Sequence, residues 1–169
     1  MKSKSTINNM CKNGLYVASV FLIFVALINF TNHSTITHAQ SANEKGYDLN
    51  EIGGGAYVVS STGYNSMFLV TGDGVIVIDA PPNIGDKIID AISEVTNETV
   101  KYLVYSHAHK DHIGGAHVLP AGIEIIAQKD TLNFLKMAND TDRPLPTQIF
   151  DNETTITLGN TTLQLAYSG

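Results

Sequence analysis

A chain of 169 residues with 43% hydrophobic and 15% charged residues is long and apolar enough to bury one ordinary core. Its formal net charge is −6, and setting aside Lys2, Lys4 and Lys12 with the first 39 residues leaves seven basic against 16 acidic groups, or −9. That balance supplies no basic footprint for nucleic acid and excludes a general polyanion-binding role.

The three N-terminal lysines precede an unbroken apolar run, LYVASVFLIFVALI, from Leu15 to Ile28, and a polar stretch then ends in THAQSA. Fourteen residues suit the core of a signal peptide better than a membrane span, which needs roughly 20. Residues 1–39 are therefore expected to direct export to a secreted, periplasmic or other extracytoplasmic location. An uncleaved N-terminal membrane anchor is the competing reading. Cys11, the sole cysteine, lies in this leader, so the remainder has neither a disulfide nor a thiolate ligand. Any metal must then be held by imidazole and carboxylate.

Residues 40–50 read as a linker and 51–169 as the folded domain. Gly53-Gly54-Gly55 has no P-loop lysine after it and reads as a flexible lead-in to the first strand. AYVVSS and SMFLV are apolar runs rich in β-branched and aromatic residues. GDG then separates SMFLVT from VIVIDA, a hairpin signal because Asp-Gly suits the positive-φ turn that twisted strands require. After Pro81-Pro82, the spacing of Ile84, Ile88, Ile89 and Ile92 predicts an amphipathic helix of about three turns. VKYLVY is continuous and apolar, as in a strand buried on both faces, and following a helix it is expected to lie parallel to VIVIDA through a right-handed crossover. HIGGAHVL opens a short helix, IEIIAQ reads as a strand, and DTLNFLKMAN as a helix capped by Asp130 or Thr131. ETTITLG and TTLQLAYS, joined through Gly159-Asn160, read as a last hairpin.

In open α/β sheets ligands bind beyond the carboxyl ends of the strands, so Asp79 after VIVI and His107 after YLVYS should converge on one crevice. The second of these strand ends opens YSHAHKDHIGGA, which places three of the chain's six histidines and an aspartate within residues 107–112. In extended backbone His107 and His109 project to the same side and can share one ion, while Asp111 and His112 follow in a turn and can face a second position. Two divalent ions about 3.5–4 Å apart lower the pKa of water toward about 7 and present hydroxide to an electrophilic carbon or phosphorus. Gly114 and Gly115 suit close approach of substrate or backbone just after the ligands. His117, five residues after His112, reads as packing or capping, and Arg143-Pro144-Leu145-Pro146 as a rigid surface loop, with a loop that touches substrate at a site mouth as the alternative.

SHAHKDHIGGA resembles the His-x-His-x-Asp-His signature of the metallo-β-lactamase superfamily, and DGVIVIDAPP resembles that family's strand ending in an aspartate. The resemblance covers roughly Ile52 to Gly169. It implies an α/β fold, the αββα sandwich, with its first half present here and a dinuclear site at its edge. The metal it implies is zinc, with iron or manganese as alternatives. By the same resemblance His107 and His109 hold the first metal, Asp111 and His112 the second. Asp111 also acts catalytically, orienting water or assisting the leaving group, and Asp79 buttresses the loop from behind. The activity implied is hydrolysis of a lactam, lactone, thioester or related ester bond in a small molecule. No nucleic-acid partner is expected, and a membrane only through the N-terminal segment.

Family members supply further ligands, two of them histidines, from the C-terminal half of the sandwich, and no histidine follows His117 here. The chain is therefore expected to be the N-terminal portion of a longer protein. A truncated or degenerate, non-catalytic metal-binding or scaffold module is the alternative.

Overall fold

The continuous apolar runs become the centre of one large sheet. The computed structural model describes residues 45–168, and the leader read in residues 1–39 lies outside the described residues. The strands are β1 (Asp48–Gly53), β2 (Ala56–Ser61), β3 (Tyr64–Val70), β4 (Val75–Ile78), β5 (Val100–Val104), β6 (Glu124–Gln128), β7 (Gln148–Phe150), β8 (Glu153–Leu158) and β9 (Thr161–Ala166). The helices are α1 (Lys87–Val95), α2 (Lys110–Ile113) and α3 (Lys129–Ala138), with a 3₁₀ turn at Ala116–Val118. Strands β1 to β7 form a single sheet in chain order, antiparallel from β1 to β4 and parallel from β4 to β7. β8 and β9 pair with each other alone. Among the described residues no helix is long and apolar enough to cross a membrane.

Alternation along the central strands assigns each side chain to one of two cores. Val75 and Val77 of β4, Leu103 of β5, and Ile125 and Ala127 of β6 face one way, against Ile84, Ile88, Ala91 and Ile92 from α1 and the turn before it. Ile76, Val104 and Ile126 face the other way, against Ile156, Leu158, Leu163 and Leu165 of the β8–β9 hairpin. Such two-sided burial is what a continuous apolar run in a parallel strand requires. The hairpin turns Thr155, Thr157 and Thr162 outward. Helix layer, large sheet and hairpin are thus stacked in the order of an αββα sandwich.

Several boundaries differ from the sequence expectation. β1 begins at Asp48, inside the stretch 40–50 read as a linker, and Tyr47 is buried in the core. DLNEIG is an edge strand with mostly exposed side chains, so it carries no apolar signal. Gly53 to Gly55 are the turn between β1 and β2, not a lead-in to the first strand. α1 starts at Lys87 because residues 82–86 form turns. α3 is capped by Gln128, whose side chain accepts from the Asp130 N–H at 2.5 Å, in place of Asp130 or Thr131. α2 starts at Lys110, two residues ahead of the expected helix, and β7 was not expected at all.

Gly159, at φ +53 in the β8–β9 turn, lies so close to the β3–β4 turn that an added Cβ would sit 2.1 Å from the Thr71 carbonyl oxygen. The Asn160 N–H donates to that same oxygen at 3.1 Å. Gly159→Ala is expected to cost about 1–3 kcal/mol in urea unfolding and to speed hydrogen exchange in β8 and β9. An unchanged midpoint with unchanged exchange would show that this contact does not hold the hairpin.

At the start of the fold, Glu94 on α1 accepts from Lys45 Nζ at 2.7 Å and from the Tyr47 hydroxyl. The Lys45 bond, then the Tyr47 bond, hold the Glu94 carboxyl below the usual glutamate value. Burial, and then Glu94, push the Tyr47 hydroxyl well above the ordinary tyrosine value. A depressed carboxyl contributes stability that is present above its unfolded-state pKa and disappears as pH falls through the folded-state value. Glu94→Gln should therefore flatten the acid limb of the stability profile below about pH 5 relative to the parent, read by denaturant midpoints across pH.

Candidate metal centre

The site is built where β4 and β5 end side by side. Asp79, the first residue after β4, donates its N–H to the Val104 carbonyl at 2.9 Å, and the next residue, Ala80, donates to the His112 carbonyl at 2.9 Å. The Gly115 N–H returns to the Ala80 carbonyl at 2.8 Å. A Cβ on Gly115 would stand 2.9 Å from that oxygen and 3.0 Å from the Pro81 oxygen. The glycine therefore serves close approach of the loop to residues 80–81, and this backbone contact is what the double glycine permits.

Asp79 is buried and sits at φ +57, a left-handed conformation that a non-glycine residue adopts at a cost. Its carboxylate faces the ligand loop. Oδ1 accepts the Ser106 N–H at 2.8 Å, and Oδ2 lies 2.5 Å from Ser106 Oγ and 3.4 Å from His112 Nδ1. Ser106 Oγ in turn lies 2.9 Å from His107 Nδ1. Each carboxylate oxygen already has a donor, which fits a supporting role for Asp79 and leaves the ring nitrogens to meet an ion.

After β5 the backbone runs extended through His109, whose carbonyl accepts from the N–H groups of His112 and Ile113 at 3.1 and 3.2 Å. The single turn of α2 brings His112 back over His107, with ring centroids 4.2 Å apart. His109 meets the same His107 ring edge-on at 4.6 Å. The donor atoms of Asp79, His107 and His112 all lie within 4.8 Å of one another. Asp111 lies to the outside, half exposed, its Oδ2 3.9 Å from His112 Nε2. His117 is exposed on the 3₁₀ turn, apart from the clustered rings, and His33 and His38 lie outside the described residues.

Desolvation, and next the charges that His112 and His109 would carry, depress the His107 pKa. A neutral ring with a free lone pair is the form a cation requires. Three imidazoles turned toward one another, two of them backed through Nδ1, are a donor set suited to a divalent ion of the zinc type. Beside them opens a cavity of about 830 Å³, lined among others by His107, His109, Asp111, Arg143, Phe134 and Tyr167.

The loop after α3 clasps this site. The Arg143 guanidinium donates to the Ala108 carbonyl at 2.7 Å, between the two first histidines, and to Asp140 Oδ2 at 3.1 Å. Lys110 pairs with Asp140 and Asp142, each at 3.3 Å. The buried Tyr105 hydroxyl donates to the Pro144 carbonyl at 3.0 Å, and burial, with the nearby Asp79 charge, raises its pKa far above the usual value. Arg143, read from sequence as part of a rigid surface loop, thus grips the histidine loop by its backbone. Sequence reading also passed over Ser106, whose signal was its place between an apolar strand and the first histidine.

Residues 61–127, which include Asp79 and the whole ligand loop, match the family model of the metallo-beta-lactamase superfamily. Solved structures of similar fold include the metallo-beta-lactamase from Pontibacter korlensis, 19% identical with a TM-score of 0.57 over 70% of this chain and 59% of that one. MIM-1 from Novosphingobium pentaromativorans is 22% identical with a TM-score of 0.60, over 69% and 49% of the two chains. FEZ-1 from Legionella gormanii is 21% identical with a TM-score of 0.58, over 68% and 50%. At such identities the likeness is one of fold, and the chain spans about half the length of the solved structures it matches. Motif, strand order and fold are thus similar to those of the metallo-β-lactamase superfamily over the portion of that fold the chain spans.

Arg143→Ala removes the donor to the Ala108 carbonyl and is expected to lower stability by about 1.5–3 kcal/mol, the range for a charge-assisted bond. Amide exchange at Ala108 to Lys110 should quicken more than exchange in β4. Equal, global acceleration at both would mean that Arg143 has no local hold on the loop.

Proposed function

We propose that the protein is a metal-dependent hydrolase acting on a small molecule, with a lactam, lactone, thioester or related ester as the scissile bond. The observation that carries this reading is the convergence of the His107, His109 and His112 rings at the ends of the parallel strands, with Asp79 behind them. In this reading His107 and His109 hold one ion, Asp111 and His112 hold a second, and both ions are zinc. Zinc bound there supplies Lewis acidity, polarising a carbonyl and lowering the pKa of water from about 15.7 toward 7.

The chain's own residues do the rest. Asp79 and Ser106 orient the rings, and Arg143 fixes the backbone between them. Asp111, half exposed on the cavity wall, is placed to hold or return a proton to a molecule lying there. Phe134 and Phe150 give that cavity apolar wall for the body of the substrate. Export, through the lysine-led apolar run of residues 15–28, completes the proposal.

A non-catalytic metal-binding or scaffold module is the second reading. Its support is that the four proposed ligands, His107, His109, Asp111 and His112, all come from one loop, and two imidazoles alone give a weaker site than the three protein ligands usual for catalytic zinc.

The protein purified without chelator should carry divalent metal by elemental analysis and turn over at least one of a panel of chromogenic lactam, lactone and ester substrates. His107→Ala combined with His109→Ala should abolish both. Metal without turnover on any substrate would favour the module. Metal content and turnover both unchanged in the double variant would remove the assignment.

A further inference from the structure

We propose that the buried Asp79 carboxylate sets the tautomers of two histidines at once, His112 directly and His107 through the Ser106 hydroxyl, so that both present Nε2 lone pairs to the site. Ser106 is then a positioning residue, acting on an incoming ion only through His107. The inference deepens the metallo-hydrolase reading and rests on it for its consequence in metal binding, whereas the tautomers themselves are a property of the metal-free chain.

The argument is one of proton counting. An ionised carboxylate only accepts, and a serine hydroxyl has a single proton to give. At 2.5 Å from Asp79 Oδ2, that proton lies between Ser106 Oγ and the carboxylate. Ser106 Oγ can then only accept from His107, and the 2.9 Å contact with Nδ1 requires the ring proton to be on Nδ1. Nε2 of His107 is left with its lone pair. His112 Nδ1, 3.4 Å from the same Oδ2, is under the same constraint and likewise leaves Nε2 bare. No side-chain or backbone hydrogen bond to the His109 ring occurs among the described residues, so its tautomer is not fixed in this way.

The geometry that makes this relay is expensive to hold, and the fold holds it. Asp79 keeps its left-handed backbone because its N–H is tied to Val104 and its carbonyl accepts the buried Ser66 hydroxyl at 2.8 Å. An observed backbone outlier at a buried polar group is the kind of strain that marks a positioning role. Ser66, Asp79, Ser106 and His107 thus form one chain of hydrogen bonds from the interior of β3 to the cavity wall.

The test uses the full chain, labelled with nitrogen-15, free of metal, at about pH 8, where histidine is neutral. Long-range proton–nitrogen correlation should show a protonated Nδ1 and an unprotonated Nε2 for His107 and His112. Ser106→Ala should release His107 from that pattern and leave His112 in it, which also certifies that the variant is folded. Ser106→Thr, which keeps the hydroxyl, should restore His107. Zinc affinity by chelator competition should fall about 10- to 100-fold in Ser106→Ala and return close to the parent's in Ser106→Thr. A parent His107 protonated on Nε2, or a His107 pattern unmoved by Ser106→Ala, overturns the relay. The expected tautomers in a chain that binds no zinc would uphold the relay and sink the metallo-hydrolase reading instead.

Discussion

The carboxylate of Asp79 joins the two halves of the site, and most of the local structure follows from where it stands. It leaves the end of β4 and reaches the Ser106 N–H and hydroxyl beyond the end of β5, so that two adjacent parallel strands are locked at their carboxyl ends. A buried carboxylate is stable only with its acceptor sites filled, and here three donors fill them. Removing the carboxylate would leave those donors facing one another, which is why the positive φ at Asp79 is tolerated.

The sheet supplies the rigidity that such a device needs. β4, β5 and β6 are covered on one face by α1 and on the other by the β8–β9 hairpin. Neither face of these strands is free to slide, and a register slip by one residue would exchange the two cores. The ligand loop is consequently anchored at both ends, by β5 before it and by the Ala80 and Gly115 backbone bonds after it. The Arg143 guanidinium holds its middle at Ala108. The histidines thus stand on an irregular stretch that is tied to its surroundings at several points.

What was legible in the sequence was whatever a local pattern can encode. VIVI and VKYLV announced buried strands by unbroken apolarity, and GDG announced the hairpin, although Gly72 and Gly74 carry the positive φ in place of Asp73. The crowding of His107, His109, Asp111 and His112 announced a site, and Asp79 was placed beside it by strand order alone. β1 and β7 were not legible, since an edge strand of exposed polar residues and one of three residues carry no periodic signal. Nor were Ser106 and Arg143 readable as parts of the site, because their roles rest on bonds across 27 and 35 residues of chain. The sequence placed His107 beside His109, whereas the turn of α2 sets it closer still to His112, a consequence of helix geometry begun two residues earlier than expected.

The electrostatics of the cluster argue for one kind of occupant. Protonating His107 together with His109 or His112 would put two positive charges about 4–5 Å apart, costing about 1 kcal/mol at water's dielectric constant and about 4 at an effective value of 20. The depressed His107 pKa has this repulsion among its causes, after desolvation, and the pull of Asp79 and Asp111 does not overcome it. Lys110 is paired with Asp140 and Asp142 and Arg143 with Asp140, so the charge of each is partly offset where it borders the cavity. A single divalent ion meets several lone pairs with one centre of charge and stands close to carboxylates that protons on the rings answer only with mutual repulsion. At His107 the arrangement therefore disfavours a proton and leaves the lone pair open to a multivalent cation, before any particular metal is specified.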